Sequence, residues 1–287
     1  MNAVSVSDTD APAVTGSVVR IGTAVTRIVA PNPGPLTGPG TNTYVIGSGE
    51  NCVVLDPGPD DALHLERILA ASGGRIGRIL CTHSHPDHSP GAAVLRARTG
   101  AQVYGLPAPH DGFQDPSYAP DEGLSEGEEI PVCGDRLTAL HTPGHASNHV
   151  CFVLESSRLL FTGDHLMSGS TVVILPPDGS MLQYLGSLER LLGLDLGAIA
   201  PGHGSVIPDA HADIRRVLAH RLKREGRLVE ALSRRGRARL DELLPEVYDD
   251  VPRFMHPAAR YSLLAHAIKL AEEGRVVEEE GAYCWLG

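Results

Sequence analysis

One short segment constrains this chain more than any other, because it places three histidines and an aspartate within six residues, His83 to His88. Buried without partners, each side chain would lose solvation worth a few kcal/mol. His83 and His85 are two positions apart, so in an extended segment both point the same way and can bind one ion. Asp87 and His88 follow after the chain turns and can face a second ion. Imidazole and carboxylate are ligands of catalytic zinc. Taken alone, the segment also allows a polar surface loop with chance histidines.

Three later segments share one architecture, an apolar strand followed by a turn that presents a histidine or an aspartate. The segments are 140–145, 159–164 and 199–204, and they present His145, Asp164 and His203. Their glycines permit backbone angles that other residues rarely adopt. A single Pro-Gly-His turn is a weak signal, since turns often contain these residues. Three such turns downstream of the histidine cluster predict that distant segments converge on one metal site.

The first two hundred residues alternate short apolar runs with turns rich in glycine, proline and aspartate. Strands are predicted at 43–46, 52–55, 78–81, 102–104, 136–141, 149–154, 159–161 and 196–200. Helices are predicted at 63–71, 92–99 and 181–194. Tight turns join many of the strands, which favours two mixed sheets with helices outside, an α/β (α+β) class. The segment 31–40 is too rich in proline and glycine for regular structure, so we expect a loop there.

The pattern changes near residue 210. Helices are predicted at 212–232, 240–248 and 257–273, and a hairpin at 275–278 and 282–286. Three helices and a two-stranded end resemble a winged-helix outline. We therefore expect a disordered lead-in at 1–16, a domain that carries the candidate metal ligands at 17–210 and a winged-helix-like domain at 211–287.

Charge and cysteine content limit the functional classes. The 287 residues carry a net charge of -11, which argues against a general polyanion binder. The segment 211–240 departs from this balance, with ten basic and three acidic residues, or +7. Five scattered cysteines without CxxC spacing indicate reduced thiols. The chain has neither a secretory signal pattern nor an apolar run of about 20 residues, so we expect a cytoplasmic protein without a membrane partner.

The ligand pattern resembles the metallo-β-lactamase superfamily, whose motif is HxHxDH followed by His, Asp and His. The similarity covers roughly residues 17–210. Within the superfamily, the segment 31–44 (PNPGPLTGPGTNTY) and the turns at 142–145, 163–164 and 201–203 resemble the lactamase-beta-2-like hydrolases. The helical tail around His220 also resembles the appendage of that subgroup. The resemblance implies an αββα sandwich with a C-terminal winged-helix-like appendage.

The resemblance also implies how two divalent ions are held. The ligands of one ion are His83, His85 and His145, those of the other are Asp87, His88 and His203, and Asp164 bridges the two. Zinc is the expected metal, with iron and manganese as alternatives. The ions are expected to ionise a shared water into a bridging hydroxide, with Asp87 and Asp164 as the catalytic carboxylates. A bridging aspartate favours esterases, thioesterases and nucleases over strict β-lactamases.

Three functions stay open at this point. The first is hydrolysis of a small acyl ester or thioester, which the net charge favours. The second is endonucleolytic cleavage of single-stranded RNA, which the +7 segment favours because phosphate contacts need lysine or arginine. The third is a non-catalytic binding protein that retains the fold, which the complete ligand set disfavours.

The appendage itself looks unsuited to reading nucleic acid. The predicted helix 257–273 carries only Arg260 and Lys269 as basic residues. We expect a structural or pocket-closing element, or a contact in a homodimer.

Four polar residues near the ligands are assigned other roles. Asn42 either holds the preceding loop near the metals or is a turn residue, and the turn is slightly favoured. His141 and His149 are expected to pack within strands, and His165 can be an outer partner of a ligand.

Overall fold

The computed structural model describes residues 12–287, so most of the predicted lead-in lies outside the described residues. The described chain divides into two units. The first comprises residues 12–142, 148–172 and 194–213, and the second comprises 143–147, 173–193 and 214–287. Among the described residues, no helix is long and apolar enough to cross a membrane.

The first unit contains a six-stranded sheet whose strands follow one another in chain order. The strands are β1 (Val18–Arg20), β2 (Val25–Val29), β3 (Asn42–Ile46), β4 (Val53–Leu55), β5 (Arg78–Leu80) and β6 (Gln102–Tyr104). Strands β1 to β4 pair antiparallel, whereas β4, β5 and β6 pair parallel. Strands β3 and β4 are buried along their whole length, and β4 is accordingly apolar throughout.

A second sheet of five strands completes this unit. Its order is β11 (Ile199–Pro201), β10 (Leu159–Gly163), β9 (Val150–Leu154), β8 (Asp135–His141) and β7 (Glu129–Val132). Only β10 and β11 pair parallel. Side chains of both sheets form one apolar cluster, in which the rings of Tyr44 and Phe161 lie 5.0 Å apart, edge to face.

Two helices cover the other face of the six-stranded sheet. Helix α1 (Ala62–Ala71) packs Leu65 and Ile68 against it, and helix α2 (Pro90–Thr99) packs Leu95. Each helix follows a parallel strand, α1 after β4 and α2 after β5. The register pairs Leu55 with Leu80, so the loops that leave these two strands start side by side at the same sheet edge. Residues 56–58 and 82–88 therefore become neighbours.

The second unit is mainly helical. It contains α3 (Met181–Leu192), most of α4 (Ala210–Arg235), α5 (Leu240–Val247) and α6 (His256–Glu272). A three-stranded sheet of order β12 (Arg237–Ala238), β14 (Ala282–Trp285) and β13 (Val276–Glu279) follows. Leu228, Leu243, Leu263 and Tyr283 share one buried cluster that joins the helices to this sheet. The predicted helices and C-terminal hairpin are confirmed to within a few residues.

The sequence patterns missed several strands. Strands β1, β2 and β7 were not predicted. The segment 31–40, by contrast, is irregular as expected, apart from an isolated bridge between Gly34 and Gly38. Strand β7 contains Pro131, which cannot donate to a ladder and argues against a strand. The structure accommodates it because β7 is an edge strand.

Candidate metal centre

All seven side chains singled out from the sequence fall into three overlapping groups. In each group the ligand atoms lie within 4.8 Å of one another. The groups are His83, His85 and His145; His83, His88 and Asp164; and Asp87, His88 and His203. The group of His83, His88 and Asp164 contains one predicted histidine ligand of each ion. This is the arrangement that a bridging Asp164 requires.

The ligands predicted for the second ion, Asp87, His88 and His203, are called the second ligand group, and they converge closely on Asp164. The Nε2 atoms of His88 and His203 lie 3.3 Å apart. Asp164 Oδ1 lies 3.3 Å from the first nitrogen and 3.1 Å from the second, and Asp87 Oδ2 lies 3.4 Å and 3.2 Å from them. Two imidazole nitrogens and two carboxylate oxygens thus point at one small volume, which fits the nitrogen and oxygen donor set of a divalent cation.

Hydrogen bonds on the far side of each ring direct these nitrogens inward. His88 Nδ1 lies 2.9 Å from Asp56 Oδ2, and His203 Nδ1 lies 3.3 Å from the carbonyl oxygen of Gly40. Both partners are acceptors, so in the neutral form of each ring the proton lies on Nδ1 and the lone pair of Nε2 faces the centre.

The pKa values of the four groups reflect their mutual attraction. Burial alone would lower the pKa of His203, but Asp164 and Asp87 outweigh it and raise that pKa to about 9. The carboxylates likewise raise the pKa of His88 against its burial. Burial would raise the pKa values of Asp87 and Asp164, yet the imidazoles hold both well below the usual range. Without a cation the cluster holds protons on its imidazoles, and a bound cation would displace them.

The other histidine group is oriented in the same manner. The rings of His83 and His85 lie edge to face with centroids 4.6 Å apart. His83 Nδ1 lies 2.9 Å from Thr82 Oγ1, and His145 Nδ1 lies 2.9 Å from the carbonyl oxygen of Val173. With protons on these Nδ1 atoms, the Nε2 atoms are the ones available to a cation.

Asp56 is a buried site residue that the sequence patterns missed. Its Oδ1 accepts from the Thr82 backbone N–H at 2.7 Å, and its Oδ2 accepts from Thr82 Oγ1 at 2.8 Å as well as from His88. The residue adopts a positive φ of 49°, which places the carboxylate under the neighbouring loop. The signal was present in the sequence, because Leu55-Asp56-Pro57-Gly58 repeats the pattern of an apolar strand followed by a polar residue in a turn.

Two glycines allow the ligand turns to approach closely. A Cβ atom on Gly163 would lie 2.4 Å from Thr82 Oγ1, and one on Gly202 would lie 2.8 Å from Asp164 Oδ1. Gly163 also has a positive φ of 43°. A side chain at either position would therefore collide with a residue of the site.

Several polar residues behave differently from the sequence expectations. Asn42 is not a turn residue; it is the buried first residue of β3. His64 was not singled out from the sequence; it lies buried in α1 with Nε2 2.9 Å from Thr43 Oγ1. His149 was expected within a strand, but it directly precedes β9, with Nδ1 2.9 Å from Thr142 Oγ1. His165 is fully buried.

Acidic residues that follow the basic segment in the chain offset part of its charge. Five of its ten basic side chains lie within 4 Å of a carboxylate: Arg224, Arg227, Arg234, Arg235 and Arg237. A sixth, Arg221, is buried over the ring of Tyr184. Counting charge within 211–240 missed these partners because Glu246, Asp249 and Asp250 lie beyond that segment.

Comparison with known proteins places this geometry in context. The family model described as Metallo-beta-lactamase superfamily matches residues 36–203, and the model described as Beta-lactamase associated winged helix domain matches residues 240–285. A Beta-lactamase-like protein 2 homolog of Drosophila melanogaster is 30% identical over 273 residues, 91% of this chain and 92% of that protein. An Atrochrysone carboxyl ACP thioesterase of Aspergillus chevalieri is 32% identical over 276 residues, 91% of this chain and 85% of that protein.

A solved structure shares the fold over nearly the whole chain. A metallo-beta-lactamase family protein of Thermus thermophilus superposes with a TM-score of 0.76, at 24% identity, over 92% of this chain and 99% of its own.

Proposed function

The chain belongs to the metallo-beta-lactamase superfamily, and from that premise we propose that it is a binuclear metal-dependent hydrolase of small acyl thioesters or esters. One observation carries the proposal. Asp164 Oδ1 lies 3.1–3.3 Å from imidazole nitrogens of the second ligand group and is also grouped with His83 of the first. A carboxylate in that position has one oxygen for each of two cations.

The protein residues and the ions would divide the chemistry between them. Two divalent ions, most simply zinc, would act as Lewis acids and lower the pKa of a bound water toward neutrality. Asp87 is suited to orienting that water, because its Oδ2 accepts from Thr41 Oγ1 at 3.3 Å beside the imidazoles of the second group. Its depressed pKa keeps it ionised at neutral pH. Asp56 and the Gly40 carbonyl hold the two imidazoles in their metal-binding tautomer.

A small acyl substrate is favoured over RNA on two grounds. At least half of the basic side chains in 211–240 are paired with carboxylates, which reduces the number available for phosphate contacts. The Aspergillus chevalieri relative is named as an acyl carrier protein thioesterase. Endonucleolytic cleavage of single-stranded RNA is the second candidate, because Arg215 and Lys223 form no ion pair with a carboxylate among residues 12–287. A non-catalytic binding protein is the third.

Other features of the proposal rest on the sequence. Iron and manganese are alternatives to zinc, because the same donor types bind them. The domain boundary near residue 210, a cytoplasmic location and a homodimer contact through the appendage also stay predictions.

Parallel assays on one preparation test the function. Protein purified without chelator is analysed for metal and assayed on a simple acyl thioester and on single-stranded RNA, as wild type and as Asp164→Ala. We expect close to two ions per chain, thioester turnover and its loss in the variant. Asp195→Ala, which removes an exposed carboxylate paired with Arg158, is the matched control and should keep full activity. Unchanged thioester hydrolysis by Asp164→Ala would refute the mechanism, and turnover of RNA alone would favour the second candidate.

A further inference from the structure

Three consecutive residues, Gly40, Thr41 and Asn42, are called the clamp here, because they contact the second ligand group or the turn that presents His203. The carbonyl oxygen of Gly40 accepts from His203 Nδ1, and Thr41 Oγ1 donates to Asp87 Oδ2. Thr41 also forms an isolated antiparallel bridge with His203. The clamp therefore reaches two of the three side chains of that group.

Asn42 makes the most specific contacts of the clamp. Its side-chain Nδ2 donates to the carbonyl oxygens of Pro201 and Gly204, both at 2.8 Å, and its backbone N–H donates to the carbonyl oxygen of Gly202 at 2.7 Å. These three acceptors surround His203 in the chain. The amide thus ties together both ends of the turn that presents the imidazole.

The chemistry of this contact requires an amide and not merely a polar side chain. Both side-chain acceptors are carbonyl oxygens, so only the NH₂ end of Asn42 can face them. A carboxylate of the same shape would place an oxygen against two oxygens in a fully buried position, which is strongly unfavourable.

The loop before the clamp is shaped to hold it in place. Thr41 N–H donates to Asn32 Oδ1 at 2.9 Å, and Asn32 Nδ2 donates back to Thr41 Oγ1 at 2.9 Å. Gly40 has a φ of 133°, and a Cβ there would lie 2.0 Å from the carbonyl oxygen of Ala30. Only glycine fits this position. Tyr44 adds a second anchor, because its hydroxyl donates to the Pro201 carbonyl at 2.7 Å.

We propose that Asn42 is a positioning residue for one of the two metal positions: by fixing the turn that presents His203, it sets the affinity of the Asp87–His88–His203 position. The hydrogen bonds of the clamp described above reach this ligand group and not His83, His85 or His145. Loss of the amide should therefore release one ion selectively. The inference rests on the proposed binuclear site and adds a residue outside the ligand set.

The test measures metal occupancy, not only turnover. Wild type, Asn42→Asp, Asn42→Ala and Tyr44→Phe are loaded with zinc, dialysed against graded chelator and analysed for metal per chain. Cobalt-loaded samples report each position through their visible spectra. Removal of an outer partner of a ligand typically costs about 10–100-fold in metal affinity. We expect a loss of that size at one position in both Asn42 variants and a smaller loss in Tyr44→Phe.

Ile68→Ala is the control for general destabilisation, because this buried side chain packs between α1 and the six-stranded sheet and makes none of the hydrogen bonds of the clamp. It should lower the melting temperature and keep both ions. Retention of two ions at wild-type affinity in the Asn42 variants overturns the proposal, as does equal loss of both ions. If the Asn42 variants do not fold, unchanged affinity at both positions in Tyr44→Phe overturns it. Wild type that never binds two ions would instead refute the binuclear function, so the two failures are distinguishable.

Discussion

His88 and Asp56 form a buried pair in which the imidazole Nδ1 lies 2.9 Å from the carboxylate Oδ2, and this pair determines which ring nitrogen faces the metal centre. Asp56 is not a predicted ligand, yet three hydrogen bonds from the loop after β5 converge on it.

The first prediction concerns this pair. In Asp56→Asn, the amide NH₂ cannot accept the proton of His88 Nδ1 if its oxygen keeps the bond to the Thr82 backbone. We expect the affinity for the ion at His88 to fall about 10–100-fold, measured by chelator competition. Asp60→Asn, four residues further on and exposed, is the matched control and should bind metal as wild type does. Equal affinities in the two variants would contradict the role assigned to Asp56.

The second prediction concerns the pH dependence of metal binding. Because the pKa of His203 is raised to about 9 without metal, this imidazole stays protonated at neutral pH and must lose its proton when a cation binds. The raised pKa of His203 stabilises the metal-free fold, fully below about pH 6.5, and this stabilisation is lost as pH rises to about 9. Apparent metal affinity should therefore keep rising up to about pH 9. Calorimetric titration with metal at pH 8, in buffers of different ionisation enthalpy, should show proton release. An absence of proton release would contradict the assignment.

The third prediction concerns acid stability. Burial lowers the pKa of His64 to about 4, so the unfolded chain binds a proton at this residue between about pH 6.5 and 4 and the folded chain does not. The free energy of unfolding should fall by up to about 3 kcal/mol as pH drops through that range. In His64→Gln, the free energy of unfolding should fall less steeply as pH drops through this range, whatever the stability of the variant at pH 7. Urea titrations of chelated protein across this pH range measure the dependence, and an unchanged pH dependence in His64→Gln would contradict the prediction.

The fourth prediction concerns nucleic acid. Arg224, Arg227, Arg234 and Arg235 are paired with carboxylates, so single-stranded RNA should bind weakly and with a shallow salt dependence. A variant with Glu246→Gln, Asp249→Asn and Asp250→Asn frees these side chains. Its slope of log affinity against log salt should steepen by about 0.7 for each new phosphate contact. A steep slope already present in wild type would show that the ion pairs do not mask the segment.

The seven candidate ligands were predictable because each follows an apolar strand in a turn of recognisable composition. The structure brings all of them into close groups. Asp56 shares that pattern, but nothing in a single sequence distinguishes it from the many Asp-Pro-Gly turns that carry no function. The parallel pairing of β4 with β5 brings Asp56 beside the loop that carries His88. Strand order of this kind cannot be read from local composition.

Long-range polar contacts were the least predictable part of the site. Asn42 and its acceptor Pro201 are 159 residues apart, so no local pattern indicates their hydrogen bond. Burial of His64 was missed for a related reason, since the residue before it on α1, Leu63, is exposed and conceals which face of the helix is inside. The ion pairs of Arg234 and Arg235 with Glu246 likewise depend on the fold that joins α4 to α5.

Strand β7 has a consequence for self-association. Sheets with an open border tend to recruit strands from neighbouring molecules, which leads to aggregation. Pro131 interrupts the row of backbone donors along that border, and the exposed Glu129 places a negative charge beside it. An oligomer of this protein is therefore not expected to form by continuous strand addition at β7, and a replacement of Pro131 that restores a donor would remove this protection.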